Sequence, residues 1–247
     1  MNGSAVGTPL TPLVLSAGTI GFTGGKWNYG TCGNSAGLTV GPHHISLPGS
    51  VTVGGAIYPA GYSTQSIAYD NGHNFSSVIA NIPGNFTAVT TAGFITLGPP
   101  DSGFSGNVLD LVRIDNARGH AAVMQLKNGN GNGLGTGYVI RLHSDGRGII
   151  IGNNITVTPG ATYWYCLKAD FAVGLSYLNL YDIRGNLVGS GTLPVVVGSY
   201  VQKIYYGNEE VSRSPGHTTY FEDTLIDYTH AAFPLGHGTG GGPSSLP

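Results

Sequence analysis

From Thr162 to Tyr228 the chain reads TYWYCLKADF, LSYLNLYDIRGNLVGSG, VQKIYYGNEEV and TTYFEDTLIDY. Each piece is a short run of β-branched, aliphatic and aromatic residues, and Gly, Asn, Asp or Pro separates it from the next. That punctuation predicts consecutive antiparallel strands joined by tight turns. The same grammar continues upstream in SSVIANI, FTAVTTAGFITLG, NVLDLVRID, GYVIRLHSD and RGIIIGNNITVTPG. GFTGGKWNYG and GLTVGPHHISLPGSVTVGG add two or three shorter strands. Apolar-rich runs of about four to eight residues at this spacing point to a sandwich or a barrel. Only ARGHAAVMQLK tolerates a helix by composition, and its turn-rich flanks, DN and NGNGNG, favour a strand in this company. No repeat of fixed period occurs, which argues against propellers and solenoids. The expected fold class is therefore all-β, an antiparallel two-sheet β-sandwich. Residues 1–20 read as an N-terminal arm or edge strand with VLSAGTI as its best β segment, residues 21–235 as the sandwich, and residues 236–247 as a Gly/Pro/Ser-rich tail.

Composition narrows this picture. Glycine occupies 42 of 247 positions, against about 7% in an average chain, and only 9% of residues are charged, against about 25%. With 40% hydrophobic residues and 14 tyrosines the chain is nevertheless built to bury a core. The formal net charge is −2 and neither sign forms a run. Duplex nucleic acid needs clustered Lys and Arg to neutralise phosphates, so nucleic acid is not an expected partner. No window reaches the roughly 18–20 apolar residues of a membrane span. The N-terminus lacks the basic start and unbroken apolar run of a secretory signal. The expected location is extracellular, or a virion or cell surface, with export by another route or by a signal removed beforehand. Cys32 and Cys166 exclude a disulfide-dense scaffold; pairing across the sandwich and two small buried thiols are both open readings.

Five segments, in this order, resemble the concanavalin A-like lectin/glucanase jelly-roll superfamily, and laminin-G-like modules in particular. They are GFTGGKW with Trp27, TPGATYWY with Trp164, YDIRG over Tyr181–Gly185, IYYGN, and YFEDTLIDY. The likeness spans roughly residues 20–235. It implies two stacked antiparallel sheets, one concave and one convex, with ligands on the concave face or its rim. It also implies a calcium ion held by an early loop and an acid of the last strand. Asp70, Asn71 and Asn74 in DNGHN, with Glu222 or Asp223, have the matching oxygen donors; the competing reading is an Asx-turn at Asp70 or Asn71.

Candidate chemistry follows from residue type and spacing. Retaining glycosidases need carboxyl groups about 5–5.5 Å apart. Asp110 and Asp115 are five apart, so an unbulged strand sends them to opposite faces. Asp223 and Asp227, four apart, are the only pair sharing a face by spacing. Alginate lyases of this superfamily use an Arg-x-Glu-x-Arg strand and a Gln-x-His strand, and neither pattern occurs in the chain, although VQKIYYGN is similar to their Tyr/Lys-bearing strand. The eight histidines are scattered and form no zinc-ligand spacing. Sugar binding relies on exposed aromatic faces and on polar side chains that bond hydroxyls. Tyr163, Tyr165, Tyr138 and Tyr205 are the candidate platforms and Arg141 the candidate hydrogen-bonding partner. Tyr163 and Tyr165 share one strand face while Trp164 and Cys166 share the other, so at least one of these sets belongs to the core.

These readings favour a non-catalytic module that recognises a glycan or surface polymer. The alternative is a structural subunit of a particle or surface layer, such as a phage capsid decoration or tail-associated protein, with its tails contacting copies of itself or particle neighbours. A glycan hydrolase or lyase ranks third, because its catalytic motifs are missing.

Overall fold

The computed structural model describes residues 3–6, 27–29, 38–41, 51–53, 56–58, 66–70, 77–82, 84–98, 108–128, 138–144, 150–207, 218–228, 231 and 233–234. Among these residues there are seventeen strands and no helix. In chain order they are β1 (Gly3–Val6), β2 (Trp27–Tyr29), β3 (Leu38–Gly41), β4 (Val51–Val53), β5 (Ala56–Tyr58), β6 (Ser66–Asp70), β7 (Ser77–Asn81), β8 (Ala88–Leu97) and β9 (Val108–Asn116). Then follow β10 (Gly119–Asn128), β11 (Tyr138–Ser144), β12 (Ile150–Val157), β13 (Thr162–Asp170), β14 (Leu175–Asp182), β15 (Leu187–Pro194), β16 (Val201–Gly207) and β17 (Thr218–Asp227). No described helix is long and apolar enough to cross a membrane.

Two large sheets stack face to face. One runs β15-β14-β13-β8-β17-β6-β3, and β1 joins β17 in parallel beyond the stretch that pairs with β6. The other runs β12-β11-β10-β9-β16-β7-β2, and β4 and β5 form a separate hairpin. Apart from the β1–β17 pair, the strand pairings among the described residues are antiparallel. The expected two-sheet antiparallel sandwich is therefore what the chain forms, and ARGHAAVMQLK supplies β10. The segment VLSAGTI and the tail 236–247 lie outside the described residues.

Alternation along each strand decides what lies between the sheets. Tyr163, Tyr165, Leu167 and Ala169 of β13 and Leu178 and Leu180 of β14 point inward. They meet Met124 and Leu126 of β10, Ile140 and Leu142 of β11, and Ile204 and Tyr206 of β16. Burying one such aliphatic or aromatic side chain is worth about 1.5–3 kcal/mol. A polar contact crosses this layer. The Thr91 hydroxyl donates to the Leu225 carbonyl at 3.0 Å, so the Tyr206 phenol, 2.6 Å away, donates to Thr91. Burial pushes the pKa values of Tyr206 and Tyr165 well above the usual phenol value, which keeps both phenols neutral.

Turns fix the register. In YDIRG, Asp182 Oδ1 accepts the backbone N–H groups of Arg184 (2.8 Å) and Asn186 (2.9 Å), and Oδ2 accepts from the Asn186 amide at 2.9 Å. Gly185 takes φ +84°, a conformation a side chain would strain. Slight burial pushes the Asp182 carboxyl up, but the donors from Asn186 and Arg184 outweigh it and hold its pKa below the ordinary carboxylate value. On one side of the sandwich, β12 and β15 close the gap between the sheets, and glycine makes the approach possible. A Cβ on Gly189 would lie 2.8 Å from Ile155 Cγ2.

Two outcomes are expected. Gly189→Ala should lower stability by about 1–3 kcal/mol through overpacking, read as a shift in the urea midpoint, and combined with Ile155→Ala, which removes the clashing Cγ atoms, it should cost less than the sum of the two single changes. Asp182 contributes stability above its unfolded pKa of about 3.9, and that contribution disappears as pH falls through its lower folded value. Asp182→Asn should therefore flatten the fall in unfolding midpoint below about pH 4, relative to wild type.

Candidate functional site

Strand β9 reads VLDLVRIDN, and its inward residues are Leu109, Leu111, Val112 and Ile114. Two inward residues in succession require a β-bulge. Val112 pairs with Met124 and Asp110 with Gln125, so Leu111 has no residue opposite. The extra residue turns Asp110, Arg113 and Asp115 to the same outer face. The spacing rule for an unbulged strand, which separates Asp110 from Asp115, is corrected here. The same face carries His120, Val123, Gln125 and Lys127 of β10, Arg141 and His143 of β11, and Lys203 and Tyr205 of β16.

Cross-strand hydrogen bonds hold these groups. Gln125 Nε2 donates to Asp110 Oδ1 at 2.9 Å, and Arg141 Nε donates to Gln125 Oε1 at 3.1 Å, a ladder across β9, β10 and β11. Beside it, Arg113 makes a two-pronged contact with Asp115 at 2.9 and 3.1 Å. The Arg113 guanidinium also lies over the Tyr205 ring, 4.1 Å from its centroid. Asp110, Gln125, Arg113 and Tyr205 are buried, whereas Arg141, Asp115, His120 and Lys203 are half-buried. The buried members thus position the accessible ones.

The described side chains of this face carry an excess of positive charge. Among the described side chains, four cations (Arg113, Lys127, Arg141 and Lys203) share this face with two carboxylates, although the chain as a whole is slightly acidic. Burial pushes the Asp115 carboxyl up, and the pull of Arg113, His120 and Lys203 does not fully offset it. Desolvation therefore outweighs attraction, and the Arg113–Asp115 pair fixes geometry more than it adds stability. Asp110 and Asp115 sit roughly 13 Å apart by strand rise, beyond the separations of either glycosidase class, about 5–5.5 or 6.5–9.5 Å.

Three of the four tyrosines proposed as stacking platforms are core residues, and that expectation is corrected. Tyr165 is fully buried and Tyr138 points inward from β11. Tyr163 is also in the core, where its hydroxyl accepts the Thr158 backbone N–H at 2.7 Å and pins the Thr-Pro-Gly turn. The opposite face of β13 is closed as well: Trp164 and Cys166 are fully buried, and Trp164 meets Phe94 edge-on with ring centroids 4.8 Å apart. Tyr205 does reach the outer face, but Arg113 covers its ring. Arg141 is half-buried on the same face and is tied to Gln125.

Of the residues proposed for calcium, the strands place the backbone of Asp70, Glu222 and Asp223. Asp70 ends β6 opposite Thr218, while Glu222 pairs with Phe94 further along β17. Along β17, Glu222 stands four residues, roughly 13 Å of backbone, beyond the position opposite Asp70. Asn71 and Asn74 lie outside the described residues, as do the side chains of Asp70, Glu222 and Asp223. A bulge between Glu222 and Leu225 also breaks the alternation that would align Asp223 with Asp227. Among the described residues no group of three or more His, Cys, Asp or Glu side chains is placed to hold a metal ion.

The ladder makes a direct prediction. Gln125→Leu removes a hydrogen bond from both Asp110 and Arg141 and should cost about 1–3 kcal/mol in urea unfolding. Gln125→Glu should be more damaging at pH 7 than near pH 4, because only the protonated carboxyl can donate to Asp110.

No protein-family model matches this chain, and no curated protein matches it in sequence. Solved structures do match it in shape. An alginate lyase from Klebsiella pneumoniae superposes with a TM-score of 0.50 at 8% identity, over 76% of this chain and 98% of the lyase. An alginate lyase from Alteromonas sp. 272 gives 0.50 at 10% identity, over 83% and 94% of the two chains. The CBM2 module of an evolved Dit from Lactobacillus casei BL23 phage J-1 gives 0.46 at 13% identity, over 81% and 95%. What this chain has in common with the two lyases is the fold, a jelly-roll β-sandwich.

Proposed function

We propose that this chain is a non-catalytic recognition module whose outer seven-stranded face binds an acidic glycan or similar surface polymer. The observation that carries this reading is the ladder of paired polar side chains on that face, with its excess of cations. Arg141 is tied to Gln125, and Gln125 to Asp110, so these groups lose little freedom when a ligand arrives, which favours binding. Arg113 already satisfies its charge on Asp115 and its flat face on Tyr205, which suits a supporting role rather than a reactive one.

One observation favours cleavage of the same polymer as a second reading. Arg113, Gln125, His143 and Tyr205 stand on neighbouring strands β9, β10, β11 and β16, and these side chains supply the anion-binding and proton-transfer groups that eliminative cleavage needs. Calorimetric titration with polygalacturonate and with a neutral glucan separates the readings. The module reading expects saturable binding of the acidic polymer, weakened by salt. It expects at least a tenfold loss, about 1.4 kcal/mol, in Lys203→Ala, with no new chain ends after long incubation. Steady release of unsaturated ends, lost in Tyr205→Phe, would establish cleavage instead.

A further inference from the structure

A second surface lies at the end of the sandwich where three connections meet. Asn81 ends β7 and Ile82, Gly84 and Asn85 follow it, Ala117 and Arg118 form the β9–β10 turn, and Gly198 to Tyr200 lead into Val201 and Gln202 at the start of β16. Together they line an open cleft of about 510 Å³, within the size range of small-ligand sites. Backbone hydrogen bonds brace its walls: Ile82 N–H to Gln202 O at 2.9 Å, Val201 N–H to Phe86 O at 2.9 Å and Gly198 N–H to Phe171 O at 3.0 Å. The Arg118 N–H donates to Asn116 Oδ1 at 2.7 Å, which fixes the turn that carries the guanidinium. The cleft is therefore held open by the fold.

Its lining has the chemistry of a sugar site. Tyr200 is 47% exposed, the one aromatic ring among the lining residues. A half-exposed tyrosine offers an apolar face for ring CH groups and a polar tip for a hydroxyl. The lining also includes Asn81, Asn85, Gln202 and Ser199, whose side chains carry amide and hydroxyl groups. Among the described lining residues, Arg118 is the only ionisable side chain besides the phenol of Tyr200. The cleft is also continuous with the cationic face, because Asn81 pairs directly with Lys203 of β16.

We propose that this cleft is a saccharide subsite. Tyr200 stacks on one pyranose ring, and Arg118 pairs with an acidic substituent on that ring or its neighbour. The inference rests on the glycan-recognition reading but assigns it a separate set of residues. The cleft holds one end of the bound segment, and the sugars that follow lie along Lys203 and Arg141.

The test uses galacturonate hexasaccharides and neutral cellohexaose, titrated into wild type, Tyr200→Ala, Tyr200→Phe, Arg118→Gln and Lys203→Ala. The exposed positions of Tyr200 and Arg118 leave the fold intact, which unchanged melting confirms. The expected results are a loss of at least about tenfold in affinity for Tyr200→Ala, near-wild-type binding for Tyr200→Phe, and loss of the acidic-over-neutral preference in Arg118→Gln. Wild-type affinity in Tyr200→Ala with a loss in Lys203→Ala would overturn the cleft and leave the face reading standing. The reverse pattern would support the cleft and remove the face. Arg118→Gln that keeps the acidic preference would refute the role of Arg118, and no saturable binding to wild type would overturn both proposals.

Discussion

The core requires two apolar residues in succession, Leu111 and Val112, and this demand sets the outer chemistry of the seven-stranded sheet. A regular strand would bury one of them and send the other to the surface. Burying either side chain is worth about 1.5–3 kcal/mol, whereas the interrupted ladder forfeits a hydrogen bond worth about 1 kcal/mol net. Burial wins, β9 bulges, and every polar residue on the near side of the bulge changes face. Asp110 then meets Gln125 on the same surface as Arg113 and Asp115. The polar face is thus a consequence of core packing.

Once assembled, that face is rigid because its groups satisfy one another. Gln125 is held at both ends of its amide, and Arg113 is held by Asp115 in its plane and by Tyr205 across it. Such pairs contribute little net stability, since Asp115 is desolvated by more than its partners recover. What they contribute is position. The accessible cations Arg141 and Lys203 stand on a fixed underlay, and the Tyr200 cleft continues the same surface at one end of the sandwich.

Most of the fold was legible because its signals are local. Gly, Asn and Pro mark strand ends, and YDIRG itself spells the turn that the Asp182 hydrogen bonds hold. The site was much less legible. Period-two alternation divides Tyr163 and Tyr165 from Trp164 and Cys166, but it does not say which face meets the core, and here both are buried. Tyr138 carries no local mark that distinguishes an inward ring from a platform. The bulge left one trace, the adjacent Leu-Val that breaks the alternation of Leu109, Asp110 and Leu111, and its effect on Asp115 depends on pairing with β10. Tyr200 lies in a connection, where periodicity gives no guide to exposure.

The most direct measurement is the pattern of cross-strand nuclear Overhauser contacts between β9 and β10 in solution. The account predicts contacts that pair Val112 with Met124 and Asp110 with Gln125, with Leu111 facing inward opposite no partner. A continuous register that pairs Leu111 with Gln125 would contradict it, because Asp110 and Arg113 would then lie on opposite faces and the polar ladder would not exist.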